Sequence, residues 1–120
     1  MTRSDFEQVD HREVDALIAL LRVADNGNGC FSGANKLGGV GRVFGGQIIA
    51  QALIAAQNSV VEDRVPHSLH AYFTRHGAES VETTYKVTRD YDGGSFSNRR
   101  VVALQNNNTI LSLNASFQRP

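Results

Sequence analysis

The segment Gly45-Gly46-Gln47-Ile48-Ile49-Ala50-Gln51-Ala52-Leu53-Ile54-Ala55-Ala56-Gln57 constrains the fold more than any other stretch of the chain. Ala and Leu favour helix and nothing inside the segment breaks one, so a helix is predicted from Gly45 to about Val60. It is apolar on nearly all sides, which predicts a buried helix rather than a surface one. Its many alanines let a sheet approach closely. A chain of 120 residues with one such helix needs a sheet to cover it.

The sequence supplies that sheet. After Pro66 the period changes from 3.6 to 2. His67 to Arg75 alternates, with Leu69, Ala71 and Phe73 on one face and Ser68, His70, Tyr72 and Thr74 on the other. Val81 to Tyr91 alternates through Val81, Thr83, Tyr85 and Val87. Asp92-Gly93-Gly94 reads as a hairpin turn. Phe96 to Gln105 and Thr109 to Gln118 read as two more strands, joined at Asn106-Asn107-Asn108, where Asn tolerates left-handed backbone. An antiparallel sheet must bury one face, and the helix is the available partner. The expected class is α+β: an antiparallel sheet curled around a long central helix, the hot-dog arrangement, in one domain over residues 1–120. A cone-shaped α+β barrel is the alternative, but its helices usually come first and number three.

Upstream, Val14, Leu17, Ile18 and Leu21 form an apolar stripe that predicts a helix over 10–21, with Asp10 as N-cap and Glu13 three residues on. Asp25-Asn26-Gly27-Asn28-Gly29 is read as its breaker. Cys30 to Asn35 reads as a short strand, and Gly38-Gly39-Val40-Gly41 as a flexible loop.

Composition narrows the function. Twelve basic side chains balance twelve acidic ones, so neither a nucleic acid nor a membrane surface is expected as partner. Cys30 is the only cysteine, so no intrachain disulfide is possible and a reducing compartment fits. No apolar stretch has the length of a membrane span or a signal-peptide core. Gln118-Arg119-Pro120 is not a Ser-Lys-Leu address. The cytoplasm is the expected location.

Four blocks then carry a resemblance. Gly41-Arg42-Val43-Phe44-Gly45-Gly46-Gln47 with Ala50-Gln51-Ala52-Leu53 resembles the start of the central helix in type II acyl-CoA thioesterases. His67-Ser68-Leu69-His70-Ala71-Tyr72-Phe73 resembles that family's second strand. The stretch from Asp92 to Val101 resembles its central hairpin, and Ala115-Ser116-Phe117-Gln118 its closing strand. The similarity runs over about residues 20–118. His76-Gly77 departs from the family's usual Pro-Gly, and Tyr91 stands where a basic residue is common. The resemblance implies hydrolysis of acyl-CoA to free acid and coenzyme A without a cofactor. It also implies that this chain corresponds to the first of two hot-dog domains, and that the family's catalytic Asp, Thr or Ser, and Gln belong to the second. The alternative is a catalytically silent hot-dog that packs beside a competent partner.

The candidate site residues follow. A helix N-terminus at Gly45-Gly46-Gln47 offers unpaired N–H groups and a partial positive charge, suited to a thioester oxyanion. The plainer reading is that the glycines only permit tight packing. Phe44, Gly45, Gly46 and Tyr72 are candidates for substrate binding, and Gln47 for a catalytic role. His70, with Tyr72 on the same strand face, is the candidate base; a structural histidine at an interface is the plainer reading. Of the adjacent Arg99 and Arg100, one is expected to pair with a carboxylate; Arg99 is the candidate for a coenzyme A phosphate. Gln47 and Gln51, one turn apart, need partners if buried. A zinc site from His67, His70 and His76 is not expected, because His67 and His70 should point to opposite faces and no further ligand completes it. Cys30 is expected to be a small inert thiol. An open edge at His67 to Arg75 predicts a homodimer or pairing with a second hot-dog domain.

Overall fold

A computed structural model describes residues 15, 18–34 and 45–120. Its elements run β1 (Val23–Gly27), β2 (Cys30–Gly33), α1 (Gly45–Gln57), β3 (Val65–Phe73), β4 (Thr83–Asp92), β5 (Phe96–Gln105) and β6 (Asn108–Gln118). The six strands form one antiparallel sheet in the order β1–β2–β4–β5–β6–β3. Helix α1 packs on β4, β5 and β6 at the middle of that sheet. This is the hot-dog arrangement.

The period-2 pattern explains which face is buried. Tyr85 on β4, Val101 and Ala103 on β5, and Leu111, Leu113 and Phe117 on β6 are fully buried toward the helix. Ala52, Ala55 and Ala56 meet them with no solvent exposure. Methyl-sized side chains bring the helix axis close to the sheet, where the larger residues of β5 and β6 fill the space. The helix is buried on that one side only. Ile49, Ala50, Leu53 and Ile54 are half-buried, because one sheet face covers one helix face. It ends at Gln57, three residues before Val60: the Val60 amide bonds the Gln57 carbonyl three residues back, a tightened last turn.

Three details depart from expectation. The stretch Asp25–Gly29 does not merely break a helix. Val23–Gly27 is a strand, and Asn28-Gly29 is the turn of a hairpin with β2. Gly27, Asn28 and Gly29 all have positive φ, and the Asp25 carboxylate accepts the Gly27 N–H at 2.8 Å, an Asx turn. β1 carries no alternation because most of it is exposed. Pro66 lies inside β3 rather than before it, at a bulge between Pro66 and Ser68; an edge strand tolerates the missing N–H. The same bulge overturns the expected facing of His67. Its Nε2 lies 2.8 Å from Ser116 Oγ, on the outer sheet face that His70 also occupies.

The β5–β6 turn follows the sequence closely. Asn106 (φ 51°) and Asn107 (φ 65°) are both left-handed between paired Gln105 and Asn108, the geometry of a two-residue primed hairpin. Of the helix expected over 10–21, residues 18–21 are described and helical; residues 10–14, 16 and 17, and the loop 38–41, lie outside the described residues.

Candidate active site

The first turn of α1 borders a cavity of about 580 Å³. Gly45 and Ile48 form its helix side, and Phe73, Thr74, Arg75, His76 and Gly77 its other wall. The Phe73 ring packs close to Gly45: a Cβ at that position would lie 3.2 Å from it, so a larger residue needs the ring to shift by a few tenths of an ångström. Gly46, one residue on, is exposed. Phe44 lies outside the described residues. Ile48, Phe73 and Arg75 were not among the residues expected at this site. One signal was present: alternation put Phe73 on the same face as Leu69 and Ala71, which is the helix side.

Gln47 turns away from a reacting position. Its Nε2 donates to the Ala34 carbonyl at 3.0 Å, and the residue is buried. Gln51, a turn later, has no solvent exposure and donates to Leu20 O at 2.7 Å and to Ala34 O at 2.8 Å. Its Oε1 accepts the Tyr85 hydroxyl at 2.6 Å. Burial pushes the Tyr85 phenol above its ordinary pKa, so it stays a proton donor. The two amides therefore clip both ends of the β1–β2 hairpin to the central helix, with Tyr85 closing the network from the sheet. Gly33 is part of the clip, since a Cβ there would overlap the Gln51 amide.

His70 and Tyr72 do come together, with ring centroids 4.6 Å apart. They stand on the other side of the sheet from α1. Phe73 touches the Gly45 position, so its neighbour Tyr72, and His70 two residues back, face outward. His70 lies in a shallow groove of about 450 Å³ with Ser68, Asp90, Asn98, Asn114 and Ser116. The sequence grouped His70 with Gly45–Gln47 as one site; the sheet separates them.

Arg99 is the enclosed member of the arginine pair, with 1% exposure. Its Nε donates to Ser59 Oγ (2.7 Å), and its Nη atoms donate to the carbonyls of Ser59 (3.0 Å), Tyr91 (3.2 Å) and Asn98 (3.0 Å). Nη2 also meets the Asp92 carboxylate at 2.8 Å. The Arg99 and Ser97 hydrogen bonds hold the Asp92 carboxyl below its usual range. Arg64 makes a second tie nearby, donating to Phe96 O, Gly93 O and Ser97 Oγ. Both guanidiniums fasten the segment after α1 to the β4–β5 hairpin. Arg100 is exposed and pairs with Asp90 at 3.3 Å. Among the described residues no group of three or more His, Cys, Asp or Glu is placed to hold a metal.

A helix on an antiparallel sheet, with a cavity beside the helix end, defines a hot-dog domain. The model of the acyl-CoA thioesterase N-terminal domain family matches residues 35–118, and the chain belongs to that family. It is 42% identical over 104 residues to acyl-CoA thioesterase 2 of Haemophilus influenzae, covering 87% of this chain and 36% of that protein. It is 51% identical over 78 residues to acyl-coenzyme A thioesterase 8 of Rattus norvegicus, covering 65% of this chain and 24% of that protein. The chain thus spans about a quarter to a third of these curated relatives. Among solved structures, the tesB protein of Mycobacterium avium subspecies paratuberculosis superposes with a TM-score of 0.82 at 33% identity, over 87% of this chain and 42% of that one. The PaaI protein of Escherichia coli, at 18% identity and a TM-score of 0.70 over 91% of this chain and 92% of that one, shares the fold.

Proposed function

We propose that this chain is the N-terminal hot-dog half of an enzyme that hydrolyses acyl-CoA thioesters to free acid and coenzyme A. The carrying observation is the family match over 35–118, which includes the helix bordering the cavity. In this reading the thioester carbonyl lies at the first turn of α1, where the N–H groups of Gly46 and Gln47 stabilise the developing oxyanion. Removing one such donor typically costs about 10²–10³ in rate. Gln47 takes part through its backbone, since its side-chain amide is committed to Ala34.

The reaction also needs a base to activate water. The residues from Val43 to Gln57 include no Asp or Glu, and among the described residues the cavity wall has none. The base comes from a second hot-dog domain, in a longer chain or a second copy. β3 is the place for it: an edge strand with Val65, Leu69, Tyr72 and Phe73 all exposed, whose outer row of backbone groups pairs with no other strand among the described residues and can extend the sheet. Two copies paired there would form a homodimer with two-fold symmetry. His70 and Tyr72, on the outer face of that strand, act within such an assembly or at its surface. Arg100, exposed where Arg99 is not, is the better-placed cation for a coenzyme A phosphate. The free thiol of Cys30 suits a reducing cytoplasm.

A second reading rests on the same missing carboxylate: a silent module that only binds acyl-CoA or completes an assembly. Steady-state release of free thiol from a medium-chain acyl-CoA separates the two, for this chain alone and fused to the second half of a full-length relative. Turnover that appears only in the fusion and falls when Gly46 is replaced supports the half-enzyme. Turnover in the fusion that is indifferent to α1 leaves the silent module. Robust turnover by the chain alone that His70→Ala abolishes would make His70 the base and overturn both.

A further inference from the structure

The loop closing the cavity has a charge pattern that hydrolysis alone does not explain. It is short and pinned at both ends. Thr74 is tied to β6 through its amide to Ile110 O (3.0 Å) and its hydroxyl to Thr109 O (2.7 Å). Ala78 is held by the buried Gln105 amide, which accepts the Ala78 N–H at 2.8 Å and donates to the Ala78 carbonyl at 2.9 Å. Between those anchors stand only Arg75, His76 and Gly77. A three-residue span fixed at both ends keeps its backbone over one small region, and Arg75 and His76, both exposed, line the cavity there. Behind them the wall is Ile48 and Phe73, both apolar, and no acidic residue lines the space among the described residues. A volume of about 580 Å³ falls within the range of roughly 300–1,000 Å³ typical of small-ligand sites.

We propose that this cavity binds an unesterified aliphatic carboxylic acid, its chain against Ile48 and Phe73 and its carboxylate at Arg75, with His76 as a second polar contact. Arg75 selects the head group because a guanidinium presents paired donors to a planar carboxylate. The proposal deepens the thioesterase reading and rests on it for the source of the ligand, since such an acid is what hydrolysis releases. It makes Arg75 and Phe73 determinants of product retention. The polar outer groove around His70 shares neither the apolar wall nor the pinned cationic loop.

Titration calorimetry of this chain with decanoate, 1-decanol and coenzyme A tests it, with Arg75→Gln, Phe73→Ala and Lys86→Gln as variants. Lys86 is exposed on β4, outside the cavity wall. Decanoate is expected to bind at least about tenfold more tightly than 1-decanol, since a charge-assisted hydrogen bond accounts for that much. Arg75→Gln should remove that preference and leave decanol binding unchanged. Phe73→Ala should weaken both ligands, Lys86→Gln neither, and coenzyme A should not displace decanoate. Both site variants lie at exposed positions and should keep the wild-type circular dichroism spectrum. Should Phe73→Ala lose that spectrum, the decanoate-to-decanol ratio with and without the Arg75 cation decides alone. Equal binding of decanoate and decanol, loss of binding in Lys86→Gln alone, displacement by coenzyme A, or no decanoate binding overturns the proposal. Selective decanoate binding in a protein whose fusion never hydrolyses acyl-CoA would sink the thioesterase reading and leave this site standing.

Discussion

Replacing Arg99 by methionine isolates the most deeply buried cation among the described residues. Methionine keeps much of the aliphatic stem and removes every donor. The guanidinium now satisfies Ser59 Oγ and the carbonyls of Ser59, Tyr91 and Asn98, and it neutralises the Asp92 carboxylate. Without it, buried acceptors lose their partners, at about 1–3 kcal/mol for each one that water cannot reach. Asp92 is itself exposed and rehydrates, which limits its share. The combined cost should match the roughly 3–5 kcal/mol found on breaking buried ion pairs, against a total stability of about 5–15 kcal/mol. Urea unfolding followed by circular dichroism reads this as a fall in midpoint at constant slope. Arg99→Lys should recover little, because one ammonium cannot span acceptors on the post-helix segment and both strands of the hairpin at once. Arg99→Met within about 0.5 kcal/mol of wild type would mean that the Arg99 guanidinium contributes nothing net, and that the sheet and Arg64 hold the hairpin without it.

The other expectations can be checked on the same chain. Ala52→Glu places a carboxylate at a position with no exposure between helix and sheet, and should prevent recovery of folded protein; a soluble, cooperatively unfolding variant would show that α1 is not central. Tyr85→Phe strands the Gln51 Oε1 acceptor and should cost about 1–3 kcal/mol, with a non-zero coupling to Gln51→Leu in a double-mutant cycle measured by urea unfolding. Asp92 has a folded pKa below its unfolded value near ~3.9, so its stabilisation is present above that value and is lost as pH falls through the folded one. Urea midpoints of wild type and Asp92→Asn should therefore differ near neutrality and converge in acid, and parallel curves would refute the linkage. Light scattering at tens of micromolar should show a species larger than a monomer if β3 edges pair.

How much of this was legible beforehand depends on the kind of signal each element carries. The helix and the four long strands were readable because burial writes periodicity into composition: an Ala-rich run has to be covered, and Tyr85 and Val87 on β4, like Leu113, Ala115 and Phe117 on β6, alternate with polar neighbours. β1 was not readable, since most of Val23–Gly27 faces water and has no apolar face to alternate; only its pairing with β2 makes it a strand. Registers with bulges were opaque for a related reason. Alternation puts His67 and His70 on opposite faces, and the bulge at Pro66–Ser68 undoes that count by one residue.

The candidate site was legible in part, for a reason that follows from the sheet. A helix N-terminus can be read from its glycines, but which strand ends next to it is fixed by the sheet order, and there β3 lies at the edge beside β6 rather than beside β4. That placement brings Phe73 to Gly45 and swings the loop Arg75–Gly77 over the helix end. It also sends His70 and Tyr72 to the far face. Two adjacent arginines look alike in a sequence, yet parity within β5 sends Arg99 inward to Ser59 and Arg100 outward to Asp90. The chemistry assigned to each residue therefore turned on one bit, the face it occupies. That bit was set by strand order and bulges, which are long-range properties, and not by the residue itself.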